Sequence, residues 1–475
     1  MRGSSVLLAF LALMAGCAPG PVPEPMPAPA PPPPVPPALA AAPVATSAPP
    51  DFENPRITEI VAGSSTERVE ADVRRLVGFG TRHTLSDTLS QTHGIGAARR
   101  WLFAEFERIS GECGGCLEVR YVSSTIPGGS HPRIPVDVQV VNPVAIQRGR
   151  LNPDHYVMMT AHYDSRVSDA NNATSDAPGA NDNASGVAGI LEVARLLTRY
   201  PTDLSIVYAP LAGEEQGLFG GEILADFALQ NDWHVEGLFN NDVIGNTRGI
   251  SGVEENTTVR VFAPGIPPDA ERSVLQRFLS AGGELDVPSR QLARRVARVA
   301  ETYLPNLDVL MIYRLDRFGR GGDHTPFFNR GITAVRITET HEDYRRQHQD
   351  IRIENGVEYG DLPDVMDFPY LARVASLNAA AIASLAWAPP APEEVRIAGA
   401  VRPSTTLGWS PVAADDLLGY RVYWRRPTEA TWTHSRWANN ATELTLENVV
   451  IDNFFFAVAA VDREGNESLV VFPNR

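Results

Sequence analysis

The sequence predicts an α/β domain with a mixed, mainly parallel sheet flanked by helices, followed by an all-β sandwich domain. Three observations support this prediction. Apolar runs of strand length alternate with segments of helical periodicity over residues 51–388. The prolines Pro389, Pro390 and Pro392 then mark a boundary. Beyond them, residues 393–475 are rich in β-branched and aromatic residues that alternate with polar ones.

Helical spacing of apolar residues predicts the helices of the first domain, and short apolar runs predict its strands. The predicted helices cover residues 94–109, 186–197, 218–229 and 369–387, and the predicted strands cover residues 156–161, 204–210, 238–241 and 333–338. In sheets of this class, sites form at the carboxyl ends of the strands. Residues 248–320 are a longer, less regular insert, which we expect to shape a substrate pocket.

The N-terminal segment resembles an export signal. Arg2 supplies a positive charge, and residues 6–14 form an apolar stretch that is too short to span a bilayer as a permanent helix. The small residues before Cys17 resemble a bacterial lipoprotein cleavage site, with Cys17 as the lipidated residue. We therefore predict a signal segment over residues 1–17 and a protein anchored by lipid to the cell envelope, facing the periplasm or the exterior. Residues 18–50, dominated by Pro, Ala and Val, predict an extended linker.

The charge balance excludes one class of partner. The 475 residues include 41 Lys and Arg against 57 Asp and Glu, which gives a net charge of −16. Because phosphate binding needs a basic surface, we expect no nucleic acid partner.

Two cysteines follow Cys17 in the chain, Cys113 and Cys116, in a Cys-Gly-Gly-Cys segment. A local disulfide, a redox pair and half of a zinc site are the three interpretations. The predicted export favours the disulfide, because exported proteins meet an oxidising environment.

The C-terminal segment, residues 393–475, resembles a fibronectin type III domain. Alternating runs over residues 420–424, 443–446 and 454–461 predict strands, and Gly465 with Asn466 predicts the last hairpin. The resemblance implies that Trp409 is the buried core tryptophan. A binding module for cell wall, glycan or protein is one interpretation of this domain, and a rigid spacer or a lid packed against the first domain is the one we favour.

The most informative feature of the chain is a series of acids and histidines at or near the ends of predicted strands. It consists of His162, Asp164, Asp182, Glu214, Glu215 and Asp242. Carboxylates and imidazoles gathered in this way suit one or two zinc ions. One of the two adjacent glutamates can bind metal while the other acts as general base. The series therefore predicts metal-assisted hydrolysis.

Each member of this series also has a simpler interpretation when taken alone. Asp182 lies in a loop that leads into a predicted helix, so that it could be an N-cap. Asp242 could be a turn aspartate, and a His-x-Asp pair such as His162 and Asp164 often arises by chance.

One further ligand must come from a distant part of the chain. His341 and His348 both follow the predicted strand over residues 333–338. The segment that ends at His348 is the better candidate, but spacing alone does not decide between them.

Five segments together resemble the co-catalytic zinc aminopeptidases of peptidase family M28, in their bacterial lipoprotein form. These segments are residues 162–164, 178–186, 213–218, 242 and 322–324. The resemblance implies two zinc ions, one held by His162, Asp182 and Asp242 and the other by Asp182, Glu215 and His348. It also implies Glu214 as general base, Asp164 as the partner of His162, and a cis peptide bond between Asp182 and Asn183.

The same resemblance concerns two further segments. His324 matches a pocket residue of the family that does not bind metal. Residues 81–84 recur in bacterial relatives, which implies a structural or pocket-edge element.

The implied activity is that of an aminopeptidase acting on a peptide or protein substrate. The same fold also hosts carboxypeptidases and single-zinc glutaminyl cyclases. A carboxypeptidase needs a cation for the terminal carboxylate, and Arg317, Arg320 or Arg336 could serve. An inactive adhesion or scaffold protein is the remaining hypothesis, which the complete set of ligand residues disfavours.

Overall fold

The computed structural model of the protein describes residues 54–473, the side chain of Arg277 excepted. The predicted signal segment, Cys17 and the predicted linker lie outside the described residues. Within residues 54–473, no helix combines the length and the apolar composition that crossing a membrane requires.

An eight-stranded sheet forms the centre of the first domain. Its strands are β1 (Leu117–Ile126), β2 (Val138–Gln147), β3 (Asn152–His162), β4 (Leu204–Leu211), β5 (His234–Asn241), β6 (Thr258–Phe262), β7 (Asp308–Ile312) and β8 (Ala334–Glu339). Their order across the sheet is β1-β2-β4-β3-β5-β8-β6-β7. The pairs β3–β4, β3–β5, β5–β8 and β6–β7 are parallel, and the pairs β1–β2, β2–β4 and β6–β8 are antiparallel. The predicted mixed, mainly parallel sheet is thereby confirmed.

Helices cover both faces of this sheet. In the described part of the chain they are α1 (Pro55–Ala62), α2 (Thr66–Val77), α3 (Gly94–Glu112), α4 (Ser185–Leu197), α5 (Glu214–Gly217), α6 (Phe219–Gln230), α7 (Arg272–Ala281), α8 (Pro288–Tyr303), α9 (His324–Asn329) and α10 (Phe368–Ala386). α4 and α10 pack on one face, and α6 and α9 pack on the other. Met158 and Met159 of β3 point to opposite faces of the sheet, and each belongs to a different apolar cluster.

The C-terminal strands form two small antiparallel sheets, after a short pair made of β9 (Arg352–Glu354) and β10 (Val357–Tyr359). These strands are β11 (Arg396–Ala398), β12 (Thr405–Gly408), β13 (Leu417–Arg425), β14 (His434–Trp437), β15 (Glu443–Leu446) and β16 (Phe455–Asp462). The sheets have the orders β11-β12-β15 and β14-β13-β16. Trp409 is 2% exposed and shares an apolar cluster with Leu407 of one sheet and Phe456 of the other. The predicted sandwich and its buried tryptophan are confirmed.

The sandwich packs against α8 through a buried ion network. Asp286, which lies just before α8, is 2.7 Å from Nη1 of Arg294 and 2.8 Å from Nη2 of Arg425 in β13. The guanidinium of Arg425 also lies over the rings of Trp432 and Phe455. Each carboxylate oxygen of Asp286 therefore has a cationic partner, which compensates the charge of this buried carboxylate.

A disulfide joins Cys113 and Cys116 in the turn between α3 and β1. This confirms the favoured interpretation of the Cys-Gly-Gly-Cys segment. The redox pair and the half zinc site are not needed to explain these residues.

Candidate metal centre

Three neighbouring strand ends position the centre. β3 ends at His162, β4 ends shortly before Glu214, and β5 ends directly before Asp242. These strands are adjacent and parallel, so their carboxyl ends meet at one edge of the sheet. Gly213 has a φ of 77°, and this left-handed turn starts α5 at Glu214.

Asp182 comes from the loop between β3 and α4. The Asp182–Asn183 peptide bond is cis, as the resemblance implies. The carboxylate of Asp361 accepts hydrogen bonds from the main-chain N–H groups of Asn181, at 2.9 Å, and Asp182, at 2.7 Å. Asp361, which sequence reasoning missed, therefore positions the residue at the middle of the predicted centre.

The segment over residues 81–84 has a structural role. The fully buried guanidinium of Arg82 donates to the main-chain carbonyls of Leu76, Tyr163, Pro178 and Gly179. These bonds tie the end of β3 to the loop that carries Asp182, because Tyr163 directly follows the last residue of β3 and Gly179 belongs to that loop.

The five predicted ligands converge in one small volume. Nε2 of His162 lies 3.1 Å from Oδ1 of Asp182 and 3.8 Å from Oδ1 of Asp242. Nε2 of His348 lies 3.1 Å from Oδ2 of Asp182 and 3.0 Å from Oε1 of Glu215. The two oxygens of Asp182 therefore face two different sets of neighbours. A carboxylate shared between two metal positions has this arrangement.

Glu214 lies in the same cluster and, like the five predicted ligands, lines the open cavity. Ligand atoms of His162, Glu214 and Asp242 lie within 4.8 Å of one another, and the same holds for His162, Asp182 and Glu215. Burial raises the pKa of Glu214 well above its usual range. The positive charge of His162 lowers this pKa, and the negative charges of Glu215 and Asp242 raise it further. A cation in this site would offset the repulsion and favour the carboxylate form of Glu214.

The donor set fits zinc. Burial opposes the charge on Asp182, but the positive charge of His348 and hydrogen bonds from both histidines hold its pKa well below its usual range. Oε1 of Glu215 is buried without a hydrogen bond of good geometry to any described residue. Three carboxylates and two imidazoles that converge in this way are ligands that Zn²⁺ accepts in proteins.

Asp164 contributes more to the centre than the orientation of His162. Its Oδ1 lies 3.6 Å from Nδ1 of His162, and its main-chain oxygen is closer to that nitrogen, at 3.1 Å. The carboxylate accepts hydrogen bonds from the main-chain N–H groups of Glu214, at 3.3 Å, and Glu215, at 3.1 Å. Asp164 therefore fixes the turn that carries both glutamates.

The structure brings His348, and not His341, to the cluster. His348 has a φ of 54°, which is uncommon for a residue that carries a side chain. His341 packs against Gly249 and does not line the cavity.

Two arginines that sequence reasoning missed hold Glu215. Nε of Arg166 lies 2.8 Å from Oε2 of Glu215, and its Nη2 lies 2.6 Å from Nδ1 of His348. Nη1 of Arg133 donates to the main-chain oxygen of Glu215 at 2.6 Å. Arg166 lies two residues after Asp164, and this position in the sequence could have indicated that it belongs to the site. No such indication exists for Arg133.

The centre opens into a cavity of about 680 Å³. Arg336, one of the candidates for binding a terminal carboxylate, is fully buried and lies 3.0 Å from Oδ2 of Asp242 and 2.6 Å from Oδ2 of Asp316. It is therefore unavailable to a substrate. Arg317 and Arg320, from the end of the predicted insert, both line the cavity.

Residues 322–324 lie largely behind the cavity wall. His324 is fully buried, and its Nε2 lies 2.8 Å from the main-chain oxygen of Leu315. It does not line the cavity, so the expectation that it is a pocket residue is wrong. Both carboxylate oxygens of the neighbouring Asp323 are buried without a hydrogen-bond partner among the described residues, and burial raises the pKa of Asp323 to about 8.

Known sequences identify the family of the chain. Residues 142–356, which contain all five predicted ligands, match peptidase family M28. A probable zinc metalloprotease of Leptosphaeria maculans is 43% identical over 418 residues, which cover 88% of this chain and 96% of the relative. A probable zinc metalloprotease of Pyricularia oryzae is 41% identical over 416 residues, which cover 86% of this chain and 82% of the relative. Both relatives are fungal, so they do not bear on the predicted bacterial lipid anchor.

A solved structure supports the fold. The LapA aminopeptidase of Legionella pneumophila superposes with a TM-score of 0.50 at 16% identity, which covers 71% of this chain and 76% of that chain. At this identity the likeness concerns the fold and not the activity. Taken with the two fungal relatives, these findings establish that the chain belongs to peptidase family M28 and is a zinc metalloprotease.

Proposed function

We propose that the protein is a two-zinc aminopeptidase that releases N-terminal residues from peptides. One observation carries this proposal: the two oxygens of Asp182 face His162 on one side and His348 on the other, each at 3.1 Å. A carboxylate in this position can join two metal positions into one centre. The motifs shared with M28 aminopeptidases, at residues 162–164, 178–186 and 213–218, support the same activity.

Each zinc position has three protein ligands in this proposal. His162, Asp182 and Asp242 hold one ion, and Asp182, Glu215 and His348 hold the other. When bound, zinc polarises the substrate carbonyl and lowers the pKa of water.

Glu214 carries out the proton transfers. Its carboxylate takes a proton from the water whose oxygen bonds to the scissile carbonyl carbon. The same proton passes from Glu214 to the nitrogen of the leaving amine as the C–N bond breaks, so one water is consumed for each bond cleaved. Asp164 accepts a hydrogen bond from the main-chain N–H of Glu214. This bond holds the carboxylate of Glu214 in a fixed position relative to the reacting atoms.

A substrate screen with the purified protein tests the activity. We expect hydrolysis of leucine 4-nitroanilide, no hydrolysis of its N-acetylated form, loss of activity after chelation and recovery with zinc. Removal of C-terminal residues from N-blocked peptides would instead show a carboxypeptidase. Cyclisation of N-terminal glutamine without hydrolysis would show a glutaminyl cyclase.

We also propose that the chain is exported and anchored by a lipid at Cys17. The apolar stretch over residues 6–14 and the small residues before Cys17 support this proposal. In a bacterial host, the wild-type chain should be found with the membrane fraction and Cys17→Ser should not. Equal distribution of the two proteins would contradict the anchor.

The C-terminal sandwich is, in our proposal, a fibronectin type III-like domain that supports the peptidase domain and does not bind substrate. The buried contact of Arg425 with Asp286 favours this role, since a docked domain needs such fixed contacts. Deletion of residues 393–475 should therefore lower stability more than it alters the specificity of the remaining folded protein.

A further inference from the structure

The outer part of the active-site cavity carries charge of one sign. Apart from the acids of the metal centre, the charged side chains that line it are Arg133, Arg166, Arg317 and Arg320. No carboxylate of the described residues lines the cavity outside the central cluster. This local excess of arginine contrasts with the whole chain, which has 57 acidic residues and 41 Lys and Arg.

Two of these arginines are neutralised by the protein itself. Nε of Arg166 lies 2.8 Å from Oε2 of Glu215. Nη1 of Arg317 lies 2.5 Å from Oε2 of Glu342, and its Nε lies 3.3 Å from Asp316. These two arginines hold the carboxylates around the site in place, and their charges are not available to a ligand.

The other two arginines, which we call the rim pair, have no carboxylate partner among the described residues. The guanidinium of Arg133 is half-buried and donates to the main-chain oxygen of Glu215, an uncharged acceptor, at 2.6 Å. The side chain of Arg320 is exposed and has no hydrogen bond to another residue of the range 54–473, whereas its main-chain N–H donates to the oxygen of Arg317 at 3.2 Å. Each member of the rim pair therefore retains donors that can reach a ligand.

The rim pair borders the segment that follows the two glutamates. His131, in the same loop as Arg133, lies next to Gly217, and Gly321, which follows Arg320, lies next to Leu218. The two arginines thus belong to loops that flank one short stretch of chain beside Glu214. A substrate group at this wall of the cavity is close to the bond that would be cleaved.

We infer that the rim pair binds a carboxylate of the substrate beside the scissile bond, and that the enzyme therefore prefers substrates that carry a carboxylate at this position. This inference rests on the proposed aminopeptidase function and adds the substrate class. A guanidinium binds a carboxylate through two parallel N–H donors, which gives both attraction and orientation. The same positive charge repels lysine and arginine side chains, so it selects against basic substrates.

Two sources can supply the carboxylate, an acidic side chain or the free terminus of a short peptide. Matched substrates separate them in assays of the zinc-loaded wild-type enzyme. Glutamate and glutamine 4-nitroanilides differ in the side-chain charge alone, and the dipeptide Gln-Ala and its C-terminal amide differ in the terminal charge alone. We expect the charged member of at least one pair to have a kcat/KM about tenfold higher, as a charge-assisted hydrogen bond would give.

Substitution of the rim pair tests whether these arginines are the cause. Arg320→Gln and Arg133→Gln should each reduce the ratio of kcat/KM between the charged and the neutral substrate, and the wild-type ratio should fall as salt is added. Arg320→Gln is the cleaner variant, since Arg133 also supports Glu215. Arg396→Gln is the matched control, because Arg396 is an exposed arginine of the sandwich, and it should leave the ratio unchanged.

The outcomes separate this inference from the proposed function. Ratios near one for both substrate pairs, with glutamine 4-nitroanilide still cleaved, would overturn the inference and leave the aminopeptidase intact. Cleavage of N-blocked peptides with a free C-terminus, and of no aminoacyl substrate, would support carboxylate binding and overturn the aminopeptidase. If the ratio of kcat/KM between the charged and the neutral substrate stays at its wild-type value in both arginine variants, another group of the enzyme binds the carboxylate.

Discussion

The metal centre and the contact between the two domains both bury charged groups, but they balance the charge differently. At the domain contact, Asp286 has Arg294 on one oxygen and Arg425 on the other, so the protein supplies a partner for both oxygens of this carboxylate. At the metal centre, the carboxylates of Asp182, Glu214, Glu215 and Asp242 lie together, and Oε1 of Glu215 has no hydrogen bond of good geometry within residues 54–473.

This difference separates structure from chemistry. A buried ion pair whose partners are all supplied by the protein holds two surfaces in register. A buried cluster with more carboxylates than the chain balances needs a cation from outside, and such clusters mark functional sites. The comparison predicts that changes at the centre alter turnover with little loss of stability, and that changes at the contact do the reverse.

The largest expected effect is on turnover and comes from Glu214→Gln. This substitution keeps the shape of the side chain but removes the group that accepts the proton. We expect kcat to fall by about 10²–10⁴-fold with unchanged zinc content. Steady-state kinetics and elemental analysis of the same preparation measure both quantities. Full activity in this variant would refute the role of Glu214.

Arg425→Met should have the largest effect on stability. It removes the partner of one oxygen of Asp286 while Arg294 still compensates the charge, and we expect the free energy of unfolding to fall by about 1–3 kcal/mol. Denaturant unfolding of wild type, Arg425→Met and the exposed control Arg396→Gln gives the comparison. The kcat of the folded variant should match that of wild type. A loss as small as that of the control would show that the contact is not a stabilising network.

A smaller effect should follow from Asp164→Asn. In the carboxylate, one oxygen accepts a hydrogen bond from the main-chain N–H of Glu214 and the other from that of Glu215. The amide has a single acceptor oxygen, so it cannot accept both bonds in this way. We expect kcat/KM or zinc affinity to fall by about 10–100-fold. Chelator competition and kinetics would distinguish the two effects, and wild-type values in both would remove Asp164 from the account.

The placement of the site at the strand ends could be predicted from sequence because the pattern there is local. Each of the strands β3, β4 and β5 is an apolar run followed at once by polar residues, and parallel strands bring such ends together. The edge strands were harder to predict. β7, for example, is half-buried or exposed along its length and lacks a clear alternation.

The supporting residues could not be predicted, because their partners are distant in sequence and mostly main-chain groups. Arg133 donates a hydrogen bond to the main-chain oxygen of Glu215, which is 82 positions away in the sequence. Asp361 accepts one from the main-chain N–H of Asn181, which is 180 positions away. No spacing rule in one sequence connects such pairs. The choice between His341 and His348 had the same difficulty, since it depends on the path of an irregular loop.

The central claim is that Asp182 joins two zinc positions into one centre. Native mass spectrometry of the zinc-loaded protein counts the ions directly, in wild type and in Asp182→Asn. We predict two zinc ions per chain in wild type and the weakening of both in Asp182→Asn, with affinities reduced by at least about a hundredfold. One zinc in wild type, or two tightly held ions in Asp182→Asn, would contradict the account.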